Sequence, residues 1–269
     1  MTLNEAYKIL AESGNDNALH DARELFRHFC SASELELINR SYSSDSEELE
    51  AAVLRRAARE PLQYIIGEVG FYRETYKVTP DCLIPRSDTE ILVDFAVKNI
   101  PSGEHFADLC TGSGCIGISV LKNTSNTAAV LADISDGALS VARENAGRNG
   151  VSDRAEFVLC DLMKEEINGE FFAVLSNPPY VTNEAYKALE PEIYKEPMAA
   201  FVGGDDGADF YRVFKPIYKN HIKKNGFIAY EIGFDQAEII KDIAENCNMS
   251  CEIINDLSGN PRVAVLRLT

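Results

Sequence analysis

Apolar residues change their spacing along this chain, and the change marks its organisation. From residue 1 to about 60 they recur at helical intervals. Leu19, Ala22, Leu25, Phe26 and Phe29 trace one helical face. Leu35, Leu37 and Ile38 predict a second helix, capped by Ser31 or Ser33. Leu49, Val53, Leu54 and Ala57 predict another, stopped by Pro61. Polar breaks at Ser13-Gly14-Asn15 and Ser41-Tyr42-Ser43-Ser44 separate the pieces, which suits a small helical bundle. Between 61 and 86 the pattern shortens. Gly67 and Gly70 bracket runs containing Phe71, Tyr72, Tyr76 and Val78, which read as a hairpin or connector. Ser87-Asp88-Thr89-Glu90 then has the form of a capping box ahead of Ile91, Leu92, Phe95 and Ala96. The expected divisions are 1–70 (helical), 71–86 (hairpin or linker) and 87–269.

In the last division strand and helix patterns alternate. Strands are expected over 106–109, 128–134, 156–161, 171–176 and 227–232, with helices over 115–122, 135–149 and 236–246. Such alternation specifies a parallel doubly wound sheet. The end departs from it. The runs 251–257 and 263–268 are joined by a short Ser-Gly-Asn-Pro turn, too short for a parallel crossover, so they must pair antiparallel. The expected fold class is α/β: a Rossmann-like, mostly parallel seven-stranded sheet with one antiparallel strand, plus an N-terminal helical bundle.

Composition narrows the function. The 269 residues carry a net charge of −17 and are 45% hydrophobic, so a substantial core is expected. The acidic balance argues against duplex DNA or bulk RNA as the main partner. Arg55, Arg56 and Arg59 form the densest basic cluster and read as the solvated face of a helix. No apolar run is long enough to span a membrane, and the first residues lack the basic and apolar regions of a secretory signal. Seven cysteines without a Cys-x-x-Cys pair fit free thiols in a reducing cytoplasm better than disulfides or a metal site.

The most specific chemistry lies at Asn177-Pro178-Pro179-Tyr180. Two consecutive prolines end the 171–176 strand, because neither has an N–H for the ladder. The result is a stiff corner at the carboxyl end of a strand, where open α/β sheets bind ligands. It offers an amide side chain, backbone carbonyls and an aromatic ring, a set suited to holding an N–H group still. After the 106–109 strand comes Cys110-Thr111-Gly112-Ser113-Gly114, a glycine loop that lacks both the P-loop ending and the three-glycine dinucleotide fingerprint. It serves either close approach to a ligand or a plain tight turn. Asp133 ends the next strand and reads as a ribose acceptor, or as an acid at a helix N-terminus. Asp161, followed by Leu162, could accept from an adenine amino group or cap its own loop. Nucleoside sites without a pyrophosphate loop suggest S-adenosyl-L-methionine. With the Asn-Pro-Pro-Tyr corner, the pattern looks like a class I methyltransferase acting on a planar amide or amino nitrogen. An adenine-amino methyltransferase would use the same corner, and the charge counts against it.

Over nearly its whole length the chain resembles the HemK/PrmC-type release-factor glutamine methyltransferases. The resemblance rests on Pro61 to Gly67, on Leu83-Ile84-Pro85-Arg86, on Glu196-Pro197, Gly203-Gly204, Asp206-Gly207 and Phe210-Tyr211-Arg212, and on Glu231-Ile232-Gly233 and Gly259-Asn260-Pro261-Arg262. Ser87, Cys110 and Pro261 depart from the family pattern. The resemblance implies that S-adenosylmethionine is held by residues 110–114, Asp133, Asp161, Leu162 and Asn177. It implies a catalytic Asn177, Pro178 and Tyr180, with Pro179 and Arg86 also on the substrate. The substrate it implies is the Gly-Gly-Gln glutamine of a peptide-chain release factor, methylated on its amide nitrogen in the cytoplasm, with the helical domain docking the factor.

Overall fold

The computed structural model describes residues 1–269, except for the side chains of residues 215–218. The chain forms two compact units. One comprises Met1–Glu68 and Glu190–Lys195; the other comprises Val69–Leu189 and Glu196–Thr269.

The first unit is helical: α1 (Leu3–Glu12), α2 (Ala18–Cys30), α3 (Glu34–Ile38), α4 (Glu47–Ala57) and α5 (Leu62–Ile66). The starts of α1, α3 and α4 are set by side chains. Thr2 with Glu5, and Ser33 with Glu36, close capping boxes, and Ser46 accepts from Leu49 N. Leu3, Leu10, Leu25, Phe26, Leu37, Leu49 and Val53 form its core. Leu35 and Ile38 are exposed, because a helix as short as α3 can turn only Leu37 inward, and Leu54 is exposed on α4.

The arginine cluster is a correction to the sequence reading. Arg55 is exposed, but Arg56 is buried. Arg56 Nε donates to Asp21 Oδ2 at 2.7 Å and Nη1 to Glu192 Oε1 at 2.9 Å. Arg59 joins through Glu192 Oε2 at 2.7 Å. Carboxylates distant in sequence neutralise these cations and so permit their burial.

The second unit begins with a hairpin, β1 (Glu68–Phe71) and β2 (Glu74–Lys77). It continues through α6 (Glu90–Asn99), β3 (His105–Leu109), α7 (Cys115–Asn123), β4 (Ala128–Asp133), α8 (Asp136–Asn149), β5 (Ala155–Leu159) and β6 (Phe171–Ser176). After α9 (Asn183–Tyr186) and α10 (Asp209–Lys219) come β7 (Ile222–Glu231), α11 (Ala237–Glu245), β8 (Met249–Asn255) and β9 (Pro261–Leu268). The seven-stranded sheet has the order β5-β4-β3-β6-β7-β9-β8. Strand β9 runs antiparallel to both neighbours, and the other pairs are parallel. Alternate residues enter two separate cores: Phe106, Leu175 and Val265 one, Ala107, Val174 and Leu266 the other. Helices cover both faces, as a parallel sheet requires.

Two local expectations fail. Residues 87–90 form no capping box; Ser87–Thr89 is a 3-10 turn whose hydroxyl and carboxylate groups serve tertiary partners. Glu90 Oε1 accepts from Tyr72 N at 2.8 Å, and Thr89 donates to Glu231. Strand β5 stops at Leu159, which leaves Cys160 and Asp161 in the following loop.

Because β3 to β6 are parallel, their carboxyl ends share one edge. From β3 the chain builds outward through β4 to β5, then crosses back to place β6 and β7 on the other side of β3. This is the switch point where open sheets hold ligands.

Candidate active site

The loop after β3 is held from beneath. Asp108 is fully buried, and its Oδ2 accepts from Thr111 Oγ1 at 2.5 Å and Gly117 N at 2.9 Å. Its Oδ1 has no hydrogen-bond partner among the described residues. Burial pushes this carboxyl up to about 7, against the opposing hydrogen bonds. Thr111 N donates to Ala132 O at 3.0 Å, and Asn145 Nδ2 donates to Ser113 O at 2.9 Å. The loop needs left-handed backbone at Cys110 (φ 56°), Gly112 (55°) and Gly114 (82°). Cys110 thus adopts a conformation that suits glycine, which explains its position as a departure from the family pattern.

Asp133 stands opposite. Its Oδ2 accepts from Gly112 N at 2.8 Å and its Oδ1 from Ser135 N at 3.0 Å, so it links the two strand ends and fixes the backbone of Ser135, the N-cap of α8. Burial raises its pKa, and these N–H groups oppose the rise. The Asp161 carboxylate pairs with Lys164 at 2.6 Å, which lowers its pKa most, and accepts from Met163 N at 3.2 Å, which lowers it further. It caps its own turn.

A cavity enclosing roughly 800 Å3, mouth included, lies along this edge. Cys110, Gly112, Asp133, Asp161, Leu162, Asn177 and Pro179 line it. Thr111, Ser113, Gly114, Pro178, Tyr180 and Arg86 do not; the first three form the loop's support. Cys82, Leu83, Ile134, Pro197 and Phe210 also line the cavity and were missed in the sequence. Ile134 carried a signal: an apolar residue directly after a strand-end acid, here 61% exposed.

The corner after β6 is fixed on several sides. Ser176 Oγ donates to Leu109 O at 2.7 Å, which joins the ends of β6 and β3. Asn177 Nδ2 donates to Thr89 Oγ1 at 3.3 Å. Tyr180 OH donates to Glu231 Oε1 at 3.1 Å, so its phenol turns away from the cavity lining. Burial raises the pKa of Glu231, and its bonds from Thr89 and Tyr180 and the nearby Arg262 oppose the rise. Gly203 and Gly207 back the corner. A Cβ would lie 2.4 Å from Pro179 O at Gly203 and 2.2 Å from Tyr180 O at Gly207, so only glycine fits. Arg86 is paired with Glu196 at 2.5 Å.

This set suits a nucleoside with a charged tail. A Cβ on Gly112 would meet nothing within 4 Å, so backbone is open to the cavity there. Asp133 supplies acceptors beside it, and Ile134, Leu162 and Met163 supply apolar walls for a planar base.

Comparison with known proteins places this geometry. Residues 87–200 match the Methyltransferase small domain, and residues 2–67 match the PrmC N-terminal domain. A methyltransferase structure from Pyrococcus furiosus superposes with a TM-score of 0.53 at 17% identity, covering 81% of this chain and 95% of that one, which supports the fold. The release factor glutamine methyltransferase of Geobacter sulfurreducens is 35% identical over 94% of this chain and 91% of its own. That of Clostridium acetobutylicum is 34% identical over 97% and 95%. With two relatives alike over nearly the full length of both chains, this protein belongs to the release factor glutamine methyltransferase family.

Proposed function

We propose that this enzyme transfers a methyl group from S-adenosylmethionine to the side-chain amide nitrogen of the Gly-Gly-Gln glutamine of a peptide-chain release factor. The observation that carries the reading is the shared cavity: the acceptor-bearing corner at Asn177 borders the same space as Gly112 and Asp133. When bound, S-adenosylmethionine supplies an electrophilic methyl on a sulfonium, whose C–S bond breaks as the N–C bond forms.

In this reading Gly112 and Asp133 hold the donor's ribose and tail. Leu162 and Ile134 sandwich its base, and Asp161 accepts from the amino group through a remaining lone pair. Cys110, Thr111, Ser113 and Gly114 set the loop. An amide nitrogen is a weak nucleophile, because its lone pair is delocalised into the carbonyl. Asn177 Oδ1 and the Pro178 carbonyl each accept one N–H, which fixes the nitrogen and aims it for in-line attack. Orientation then supplies most of the rate. The same acceptors stabilise positive charge that develops on nitrogen. The product amide loses its proton to water. Pro179 stiffens the corner, and Tyr180 closes it against Glu231. Arg86 acts on the substrate side through its pair with Glu196. The helical unit docks the release factor, with no nucleic acid bound directly. Among the described residues no helix is long and apolar enough to cross a membrane. The reaction belongs in the cytoplasm, with its release factor.

The test is labelled-methyl transfer to purified release factor, with a variant lacking the Gly-Gly-Gln glutamine as control. Asn177→Ala should abolish transfer and spare donor binding. Asp133→Ala should weaken donor binding in calorimetry. Normal turnover by Asn177→Ala would overturn the assignment.

A further inference from the structure

Asparagine has an ambiguity that a catalytic role cannot tolerate. Its amide presents an acceptor on one side and a donor on the other, and a half-turn about its last bond exchanges them. Only one orientation turns Oδ1 toward an incoming N–H. Something must select it.

Donor and acceptor counting identifies the selector. Glu231, the last residue of β7, is 1% exposed. Both of its carboxylate oxygens accept: Oε2 from Thr89 Oγ1 at 2.5 Å and Oε1 from Tyr180 OH at 3.1 Å. A threonine hydroxyl has one proton, and Thr89 commits it to Glu231. Its oxygen can then only accept from a further neighbour. That neighbour is Asn177, whose Nδ2 lies 3.3 Å away. With the donor side of the amide occupied there, Oδ1 is left for the substrate. The geometry supports the chain of contacts. Ser176 and Tyr230 are register partners on adjacent parallel strands, so Asn177, the first residue past β6, and Glu231, the last of β7, follow them side by side.

We infer that Thr89 and Glu231 are positioning residues for methyl transfer: they form a one-way hydrogen-bond relay that holds the Asn177 amide with its oxygen toward the substrate, and Glu231 anchors Tyr180 through its other oxygen. The inference rests on the role proposed for Asn177. It gives a task to two segments, 87–90 and 231–233, whose sequence carries no chemistry by itself.

The test uses full-length Thr89→Val, Thr89→Ser, Glu231→Gln and the double variant Thr89→Val/Glu231→Gln, with steady-state methyl transfer to release factor. Valine keeps the shape of threonine and removes the relay oxygen. Thr89→Val should lower kcat by about tenfold or more, with the donor Kd and the release-factor KM changed by less than about threefold, the split expected when orientation alone is lost. Thr89→Ser should recover most of kcat. Glu231→Gln should lower kcat, and the double variant should fall no further than the worse single, because both act through one relay. A merely structural role would lower the melting temperature of the variants and leave this split and this non-additivity absent. Thr89→Val with unchanged kcat, alongside inactive Asn177→Ala, would overturn the relay and leave the proposed function standing. Equal losses in the valine and serine variants would also overturn it. Full activity in Asn177→Ala would remove the proposed function and the relay together.

Discussion

Arg86 Nη2 lies 2.5 Å from Glu196 Oε1, across 110 residues of sequence. The second oxygen of Glu196 accepts from Ile84 N at 3.0 Å, and its side chain is 2% exposed. One carboxylate therefore joins the segment before α6 to the segment that follows the corner. Neighbours of both, Leu83 and Pro197, line the cavity. Glu196→Ala should lower stability by about 2 kcal/mol, since it leaves a buried N–H unpaired. It should also weaken S-adenosylmethionine binding, whereas Glu196→Gln should do less of both. Urea unfolding and calorimetry measure these, and an unchanged donor Kd in the alanine variant would refute the link to the cavity.

Breaking a buried ion pair of the helical unit should cost far more than breaking an exposed one. Arg56→Ala leaves Asp21, itself 6% exposed, without its cation, a loss of about 3–5 kcal/mol. Arg55→Ala, one residue earlier, removes an exposed pair with Glu60 and should cost less than about 1 kcal/mol. Equilibrium unfolding that ranks the two equally would contradict this.

Asp108 makes stability depend on pH. Burial raises its folded pKa to about 7, from the ordinary carboxyl value of 3.8. The contribution is complete below the unfolded pKa and is lost as pH rises toward the folded one, because the unfolded chain ionises first. Each unit of difference corresponds to about 1.4 kcal/mol. Asp108→Asn should flatten the profile, so that the variant gains on the parent between about pH 4 and pH 7. Melting curves that stay parallel across that range would exclude the effect.

At Cys110 the left-handed backbone costs an L side chain about 1–2 kcal/mol. Glycine removes that strain and gives back part of it as chain entropy. Cys110→Gly should be neutral within about 1 kcal/mol, whereas Cys110→Val should destabilise by about 2 kcal/mol or more. Thermal unfolding in the absence of donor separates the two.

The sheet was legible because its apolar runs are short and alternate with helical spacing, and because the turn before Pro261 is too tight for a crossover. The corner was legible because two prolines permit few alternatives. What sequence could not show was long-range pairing. Arg55, Arg56 and Arg59 look alike in sequence, yet Arg56 finds Asp21 and Glu192 at separations of 35 and 136 residues. Residues 87–90 have the right side chains for a capping box, and tertiary partners take them instead. Glu231 was visible as a landmark, but its partner Thr89 lies 142 residues away. Helix α10 was missed because its aromatic residues read as a motif rather than as a helical face.

The six residues Glu190–Lys195 leave the second unit and return to it, packing meanwhile with the helices. The helical unit is thus not a detachable leader. A chain truncated to start at Val69 would retain Glu192 and lose both arginines that neutralise it. Cutting the protein into independent halves would take three breaks in the backbone rather than one, and of the four fragments the third would belong with the first.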